Sequence, residues 1–372
     1  GSEMCIRDRY MRRALELAGR GVGWTSPNPM VGAVVVKDGR VIGEGFHERC
    51  GEAHAERNAL AHCTEPPAGA TMYVTLEPCC HQGRQPPCTD AILEAGIARV
   101  VVGSDDPNPL VAGKGIDILR RAGVEVETGV LKAECDALNY VFFHYITTGL
   151  PYVVMKYAMT LDGKIATCSG KSKWITGEAA REQVHRDRSR YRAIMAGVGT
   201  VLADDPMLNC RIEGGRDPVR VICDSHLRTP LTSRIVATAR EIPTILATVS
   251  ADKEAAAPYE AAGCRVWTLP ERGGRPDLTE LMRRLGAEGI DSVLLEGGGT
   301  LNWTALESGI VNRVQAYIAP KLFGGAGAKS PVGGQGVEDP AGAVRLRDIS
   351  VRRLGGDILL EGEVESLVHG NS

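Results

Sequence analysis

The sequence predicts an α/β protein built from two successive domains. Short β-rich runs alternate with helical patterns in both halves of the chain, which is typical of layered α/β sheets. The chain has 372 residues, more than one ordinary domain usually contains. Gly149-Leu150-Pro151 interrupts the alternation, and a new series of strands and helices follows. We therefore expect one domain over residues 10–149 and a second over residues 151–368.

In the first half, an apolar stripe that begins at Tyr10 predicts a helix. Gly1–Arg9 has no apolar period and is left out of the fold prediction. Asp38-Gly39 between the β-rich runs Val31–Val36 and Val41–Phe46 predicts a hairpin. The elements expected next are helix His54–His62, strand Thr71–Leu76, helix Thr89–Ala95, strand Arg99–Gly103, helix Gly115–Ala122, strand Val124–Glu127 and one helical segment near Ala133–Thr148.

The second half predicts another α/β domain, with mixed strand directions at its end. Its expected strands are Tyr152–Met159, Ala193–Ala196, Val219–Asp224, Thr244–Thr248, Arg265–Leu269, Ser292–Leu295, Asn312–Ile318 and Asp357–Glu365. Its clearest helices are Glu178–Arg190, Glu254–Ala262 and Leu278–Leu285.

Two glycine segments follow strands of this half. They are Gly197–Thr200 and Leu295–Leu301, and we expect both to be loops, the second before a helix over Asn302–Ser308. Either one alone fits a tight turn as well as a phosphate-binding loop, but two at strand ends favour a ligand cleft. Leu202 and Asn302 stand where the third glycine of Gly-x-Gly-x-x-Gly belongs, so a Rossmann dinucleotide site is not expected.

The chemistry of the first half is concentrated in four residues. His54 supplies an imidazole, Glu56 a carboxylate, and Cys79 and Cys88 supply thiolates. The histidine and the two cysteines would hold zinc and leave a fourth position for water, which is the ligand count of a catalytic site. Zinc lowers the pKa of that water to about 7, and Glu56 would carry protons without binding the metal. His-x-Glu followed by Pro-Cys-x-x-Cys is the signature of zinc deaminases that act on nucleobases.

The spacing of the cysteines departs from that signature. Cys79 and Cys88 are nine positions apart instead of three. Glycine and prolines in the insert suit a looped-out turn that returns the chain to the metal. Pro87 also suits a helix start, where the dipole stabilises a thiolate at Cys88. A lone His-x-Glu is usually coincidental, but a third sulfur in the expected order favours a metal site. Cys80 is expected to be a passive thiol.

Composition limits the remaining classes of function. The net charge of -3 argues against a nucleic-acid partner bound through a basic patch. The eleven cysteines show no secreted framework and are typical of reduced thiols in a cytoplasmic enzyme. The chain lacks an apolar run of about 18 residues and a visible signal peptide, so no membrane partner is expected.

Basic residues are concentrated on one predicted helix and its exit. For most of them we expect a solvated helix face, while one or two could turn inward and hold a sugar phosphate bidentately. The sequence does not select which of them do so. They are Arg181, Arg186, Arg188, Arg190 and Arg192.

Specific motifs recur along the whole chain. In the first half they are Pro27-Asn28-Pro29-Met30-Val31-Gly32, Gly45-Phe46-His47, His54-Ala55-Glu56 and Thr75-Leu76-Glu77-Pro78-Cys79 through Pro86-Pro87-Cys88. In the second half they are Lys156 through Leu161-Asp162-Gly163-Lys164, Trp174-Ile175-Thr176, Ala203-Asp204-Asp205-Pro206 and Leu295 to Thr300. In these motifs the chain from Tyr10 onward resembles the RibD family of bifunctional riboflavin-biosynthesis enzymes, which shares the nine-residue cysteine spacing.

The resemblance implies a cytidine-deaminase-like α/β/α layered domain followed by a dihydrofolate-reductase-like α/β domain. It implies zinc-dependent hydrolytic removal of the 2-amino group from 2,5-diamino-6-(5-phosphoribosylamino)pyrimidin-4(3H)-one, and then NADPH-dependent reduction of the ribosyl group to ribityl. The implied cofactors are Zn²⁺ and NADPH, and the implied partner is this small-molecule phosphoribosylamino-pyrimidine substrate. A homo-oligomer, dimer or tetramer, is also expected.

The resemblance also assigns roles to residues. Glu56, Lys156 and Glu296 would be catalytic, the last two by helping to open or protonate the ribosyl imine. The pyrimidine substrate would be held by Asn28, His47, His81 and Arg84, with Arg84 suited to its phosphate. Substrate contacts of the reductase half would be Ser172, Arg188, Leu208, Arg211 and Glu296. NADPH contacts would be Ala158, Trp174, Thr200, Asp204, Ser225, Gly298, Gly299, Thr300, Leu301, Asn302, Trp303 and Thr304.

Two other interpretations stay open at the level of sequence. In the first, the N-terminal domain deaminates a free base or a base in nucleic acid, and the second domain only binds. In the second, zinc is structural, with Cys80 or Cys50 as a fourth ligand, and the chain is a non-enzymatic binder. Failure to consume NADPH would favour the first, and a closed four-ligand site would favour the second.

Overall fold

The computed structural model describes residues 3–83 and 85–365. The chain divides into two compact units, Gly1–Gly149 and Leu150–Ser372. Among the described residues, no helix is both long enough and apolar enough to cross a membrane.

The first unit is an α/β sandwich of three layers. Its elements are α1 Glu3–Gly19, β1 Gly32–Lys37, β2 Arg40–Phe46, α2 Ala55–Ala61, β3 Thr71–Leu76, α3 Cys88–Glu94, β4 Arg99–Ser104, α4 Lys114–Arg121, β5 Glu125–Glu127, α5 Lys132–Leu138 and α6 Tyr140–Thr148.

These strands form one sheet in the order β2-β1-β3-β4-β5 in the described part of the unit. The predicted hairpin is confirmed as the antiparallel pair β1 and β2, whereas β3, β4 and β5 run parallel. Successive residues of a strand face opposite sides. Ala33 and Val35 therefore lie in the core beneath α2 and α3, and Val34 and Val36 lie in the core beneath α1.

Close contact between α2 and β2 depends on Gly45. A Cβ atom at this position would lie 2.3 Å from the backbone nitrogen of Ala59, a distance that no side chain tolerates. The absence of a side chain lets α2 lie directly on the sheet. The glycine thereby fixes the helix whose start carries His54 and Glu56.

The sequence-based boundaries needed three corrections here. The first helix begins at Glu3 and not at Tyr10, and Arg7 in its added turn pairs with Glu127. His54 is the N-cap of α2 and not its first helical residue. The single segment expected over Ala133–Thr148 is two helices, because the Asn139 side chain bonds both backbone groups of Met30, at 2.8 and 2.9 Å.

The second unit contains a larger mixed sheet. Its elements are β6 Tyr152–Thr160, α7 Glu178–Arg190, β7 Ala193–Gly197, α8 Val198–Asp204, β8 Val219–Cys223, α9 Arg234–Ala237, β9 Thr244–Thr248, α10 Lys253–Ala262, β10 Arg265–Thr268, β11 Glu271–Arg272, β12 Arg275–Pro276, α11 Leu278–Ala287, β13 Ser292–Leu295, α12 Gly299–Glu307, β14 Arg313–Ala319, β15 Leu346–Leu354 and β16 Asp357–Val364. A short 3₁₀ turn covers Pro340–Gly342.

The strand order is β10-β9-β8-β7-β13-β6-β14-β16-β15 within the described residues. All strands from β10 to β14 in this order are parallel, and β16 and β15 add an antiparallel edge. Ala193 and Met195 of β7 face one core, and Ile194 and Ala196 face the other. In such sheets ligands bind beyond the carboxyl ends of the parallel strands.

Both glycine segments were wrongly expected to be loops throughout. α8 begins at Val198, so Gly197 is its N-cap, and α12 begins at Gly299. Two helix starts therefore lie at the carboxyl ends of β7 and β13. Strand β15 was not predicted at all, because seven of its nine residues are exposed and no alternation marks a buried face.

Candidate active sites

Three metal-binding side chains meet near the carboxyl end of β3. His54 caps α2, Cys88 opens α3, and Cys79 lies in the loop between β3 and α3. Nδ1 of His54 is 3.4 Å from Sγ of Cys79 and 3.4 Å from Sγ of Cys88. Tetrahedral zinc, with bonds of about 2.3 Å to sulfur and about 2.0 Å to nitrogen, separates such atoms by about 3.5 Å. The donor set therefore fits zinc.

The hydrogen bonds among these donors favour a thiolate. Bonds from Cys88 and His54 outweigh burial and hold the pKa of the Cys79 thiol well below its usual range. The backbone N–H of Cys88 also donates to Sγ of Cys79, at 3.4 Å. Thiolate is the form of cysteine that ligates metals, so the donor set is prepared for a cation.

The neighbouring cysteines are not part of the donor group. Of the residues that the structure describes, His54, Cys79 and Cys88 form the one potential metal-binding cluster, with donor atoms within 4.8 Å of one another. The Cys80 thiol instead donates to the carbonyl oxygen of Leu110, at 3.7 Å. Three protein ligands match a catalytic zinc site and not a closed structural one.

Glu56 lies beside the donors in the first turn of α2. Its side chain is buried, with 3% of its surface exposed. Burial and then the charge of Cys79 raise the pKa of Glu56 to about 7. A carboxyl group that titrates near neutral pH can both accept and return a proton, which suits general acid–base catalysis.

His54, Cys79 and Glu56 line a cavity of about 410 Å³. This volume lies in the usual range of small-molecule sites. Its wall includes Asn28, His47, His81, Gln85, Asp106 and Phe142. Arg84, expected to contact phosphate, lies outside the described residues, although Gly83 and Gln85 on either side of it line the cavity.

His47 is buried and both of its ring nitrogens are engaged. Nδ1 lies 3.1 Å from the carbonyl oxygen of Ala53 and must donate to it, so Nε2 is left to accept. Nε2 lies 3.2 Å from Nδ2 of Asn28. This arrangement fixes the Asn28 amide and leaves its carbonyl oxygen as the atom available to a ligand.

A buried carboxylate fastens one wall of the cavity. Glu77, two residues before Cys79, accepts backbone N–H bonds from Asp106, Gly113, Gly115 and Ile116 at 3.0–3.4 Å. These donors belong to the segment before α4 and to the first turn of that helix. The metal-ligand loop and the wall around Asp106 are therefore held together.

The second unit has a charged cluster at the carboxyl end of β13. The Glu296 carboxylate receives two bonds from Arg188, at 2.8 and 2.9 Å, and lies 3.5 Å from Nζ of Lys156. Burial alone would raise the pKa of Glu296, but Arg188 and Lys156 outweigh it and hold that pKa at about 2. Three residues predicted from the sequence are thus brought together from β6, α7 and β13.

The residues expected to contact NADPH lie along the carboxyl ends of neighbouring parallel strands. Ala158 lies on β6, Thr200 follows β7, Ser225 follows β8, and the segment Gly298–Thr304 follows β13. The N-cap of α12, Gly298, provides no side-chain cap, so amide groups at that helix start are open to an anion. These positions lie where ligands bind in parallel α/β sheets, beyond the carboxyl ends of the strands.

The remaining predicted positions differ in exposure. Trp174 is 63% exposed, with the guanidinium of Arg181 4.7 Å from its ring centre, and Asp204 is exposed at the end of α8. Asn302 is fully buried and donates to the carbonyl oxygen of Pro331 at 2.8 Å, which ties α12 to a following loop. Leu208 is buried, and Ser172 is partly exposed.

Asp106 was not predicted as a site residue from the sequence. It is 7% exposed, lines the cavity, and has its pKa raised to about 6 by burial. A signal was present: Pro107-Asn108-Pro109 repeats the Pro27-Asn28-Pro29 motif, and both segments line the same cavity.

Known proteins match both units. A family profile described as the cytidine and deoxycytidylate deaminase zinc-binding region matches residues 4–104, and the RibD C-terminal domain matches residues 151–360. The riboflavin biosynthesis protein RibD of Actinobacillus pleuropneumoniae is 58% identical over 95% of this chain and 94% of that protein. The Escherichia coli (strain K12) protein of the same name is 42% identical over 94% of this chain and 97% of that protein.

A solved structure also matches along nearly the whole chain. It is titled as a diaminohydroxyphosphoribosylaminopyrimidine deaminase/5-amino-6-(5-phosphoribosylamino)uracil reductase from Thermotoga maritima. It has a TM-score of 0.86 and 38% identity, and it covers 97% of this chain and 99% of that chain.

The fold and the two sites define a bifunctional enzyme, a zinc-dependent deaminase joined to an NADPH-dependent reductase. The chain belongs to the RibD family of riboflavin biosynthesis. The expected fold class, a cytidine-deaminase-like domain before a dihydrofolate-reductase-like domain, is confirmed.

Proposed function

We propose that the first unit deaminates 2,5-diamino-6-(5-phosphoribosylamino)pyrimidin-4(3H)-one to 5-amino-6-(5-phosphoribosylamino)uracil, and that the second unit reduces this product to 5-amino-6-(5-phosphoribitylamino)uracil. The observation that carries the proposal is the placement of Glu56 beside a three-ligand donor set, with Glu56, His54 and Cys79 lining one small-molecule cavity. The name of the Thermotoga maritima relative supports both substrates.

In the deaminase unit, His54, Cys79 and Cys88 would hold zinc. When bound there, zinc supplies a water of lowered pKa for attack on the amidine-like ring carbon. The Glu56 carboxylate would accept one proton from the attacking water and pass it to the ring nitrogen, and would then carry a second proton, from the hydroxyl group added to the ring carbon, to the departing amine. The net change exchanges an amino group for oxygen and releases ammonia.

Polar groups of the cavity wall would position the pyrimidine. The carbonyl oxygen of Asn28, fixed by His47, and the Asp106 carboxylate both accept hydrogen bonds. The substrate carries several N–H donors, so two acceptors on the wall suit it. His81 and Arg84 would hold the sugar phosphate side.

In the reductase unit, the nicotinamide of NADPH supplies the hydride. Lys156 is the candidate to protonate the opening ribosyl group, and its Nζ atom is held 3.5 Å from the Glu296 carboxylate. Arg188 fixes Glu296 through two bonds and so keeps this carboxylate ionised. Ser172, Leu208 and Arg211 would complete the substrate contacts.

The proposal also covers the domain boundaries, the oligomeric state and the cellular location. Residues 10–149, with the turn that begins at Glu3, would form the deaminase domain, and residues 151–368 the reductase domain; of the latter, 366–368 lie outside the described residues. A homo-oligomer, dimer or tetramer, is supported by β15, which is an edge strand among the described residues and has Val351 62% exposed and Ile349 50% exposed. Cysteines that form no disulfide among the described residues suit a cytoplasmic location.

The test uses the purified full chain with zinc, NADPH and the diamino substrate. We expect ammonia release and NADPH oxidation together, with both expected products identified by mass spectrometry. Ammonia without NADPH oxidation, even when the deaminated product is supplied, would contradict the reductase assignment. Release of ammonia from cytidine but not from the diamino substrate would instead favour deamination of a free nucleoside.

A further inference from the structure

A histidine without an assigned role lies beside the charged cluster of the second unit. His185 is on α7, one helical turn before Arg188. Its Nε2 atom is 2.9 Å from Nη2 of Arg211. A guanidinium has only donors, so Nε2 of the imidazole must be the acceptor. The ring therefore carries no proton on this nitrogen.

The surroundings of His185 keep its ring unprotonated at Nε2. Burial, followed by Arg188 and Arg211, lowers the pKa of His185 to about 4, against a weaker opposing effect of Glu296. The Cys210 thiol, next to Arg211 in the chain, donates to the carbonyl oxygen of His185 at 3.4 Å. The imidazole is therefore neutral near pH 7, as its acceptor role toward Arg211 requires.

The two arginines beside His185 differ in how many of their donors are already hydrogen-bonded within the protein. Arg188 uses Nε and Nη2 on Glu296 and Nη1 on the carbonyl oxygen of Asn209, at 3.1 Å. Arg211 is exposed, and among the described residues its one hydrogen-bond partner is His185. Arg211 therefore keeps most of its five donors for a ligand, whereas Arg188 does not.

The backbone next to Arg211 is held by hydrogen bonds that do not involve the His185 ring. The N–H of Cys210 donates to Asp217 at 2.8 Å, and Asn209 is held by Arg188. Leu208 has a φ of 50°, an uncommon conformation for a leucine, which sets the direction of the segment. What remains free is the long Arg211 side chain, and an exposed arginine loses much rotamer freedom when it binds.

We propose that His185 is a positioning residue of the reductase: its neutral Nε2 holds the Arg211 guanidinium ready for the phosphate group of the substrate. This inference rests on the proposed function, which makes Arg211 a substrate contact. Preorganising an arginine lowers the entropic cost of binding, so the effect falls on the affinity for the phosphorylated substrate. The deaminase site is unaffected.

The test compares His185→Phe, which keeps a flat ring without an acceptor, with His185→Gln, which restores an acceptor oxygen. Each variant is given 5-amino-6-(5-phosphoribosylamino)uracil and NADPH. For His185→Phe we expect KM for the uracil substrate to rise about tenfold, with kcat within about twofold of wild type. For His185→Gln we expect KM close to wild type. The KM for NADPH reports whether the unit is folded, and ammonia release from the diamino substrate is the control in the same chain.

Two further measurements distinguish positioning from a general structural role. With the dephosphorylated compound, 5-amino-6-ribosylaminouracil, His185→Phe and wild type should have the same KM. In an Arg211→Ala background, His185→Phe should change nothing further. An unchanged KM for the phosphorylated substrate, an equal rise without phosphate, or an additive effect with Arg211→Ala would each overturn the proposal. Failure of the wild type to reduce the uracil substrate would overturn the proposed function itself.

Discussion

Replacing Glu77 by glutamine should destabilise the first unit selectively. Its two carboxylate oxygens each accept two backbone N–H groups, one pair at 3.1 and 3.3 Å and the other at 3.0 and 3.4 Å. Glutamine keeps one oxygen and turns an NH₂ group toward the other pair. Two bonds to a charged acceptor, at about 1.5 kcal/mol each, correspond to a loss of about 3 kcal/mol in the free energy of unfolding.

The assay is urea denaturation, with each unit followed through its own activity. Ammonia release reports the first unit, and NADPH oxidation with supplied uracil substrate reports the second. A loss of about 3 kcal/mol should lower the urea midpoint of the first unit by about 1–2 M, and that of the second unit should not move. Glu48→Gln, at an exposed position of the same unit, is the matched control. Equal midpoints for Glu77→Gln and Glu48→Gln would refute the reasoning.

Two other predictions concern metal and charge. Removing zinc with dipicolinate should stop ammonia release but leave NADPH oxidation of supplied uracil substrate intact, and added zinc should restore the first activity. Because the pKa of Glu296 is depressed to about 2, the stability from its ionisation is complete above the unfolded pKa of about 4.5 and is lost as pH falls toward 2. Arg188→Met should move this loss to higher pH, measured by urea midpoints of the second unit, with Arg186→Met on the exposed face of α7 as control.

Sequence patterns predicted the elements that local chemistry controls. The Asp38-Gly39 turn gave the hairpin, because its apolar runs pair over a two-residue loop. The order of His54, Cys79 and Cys88 gave the donor set, since ligand type and order are written directly in the chain. Pro87 also marked the start of α3 correctly.

Features that depend on contacts between residues far apart in the chain could not be predicted from the sequence. The break at Asn139 comes from bonds to Met30, 109 positions earlier in the chain. The buried state of Asp106 and the anchoring role of Glu77 arise only when the loop before α4 folds over the metal-ligand loop. Likewise, the proposed role of His185 depends on its contact with Arg211, which the helical pattern of the sequence does not reveal.

The central claim is that one chain carries two sites that act in series, with Glu56 serving only the first. The most direct measurement follows ammonia and NADPH together for zinc-loaded wild type and Glu56→Gln, with zinc content checked in both. Wild type should release ammonia and oxidise NADPH. The variant should retain zinc, lose both signals with the diamino substrate, and regain NADPH oxidation when the uracil intermediate is supplied. Ammonia release by Glu56→Gln at the wild-type rate would contradict the account.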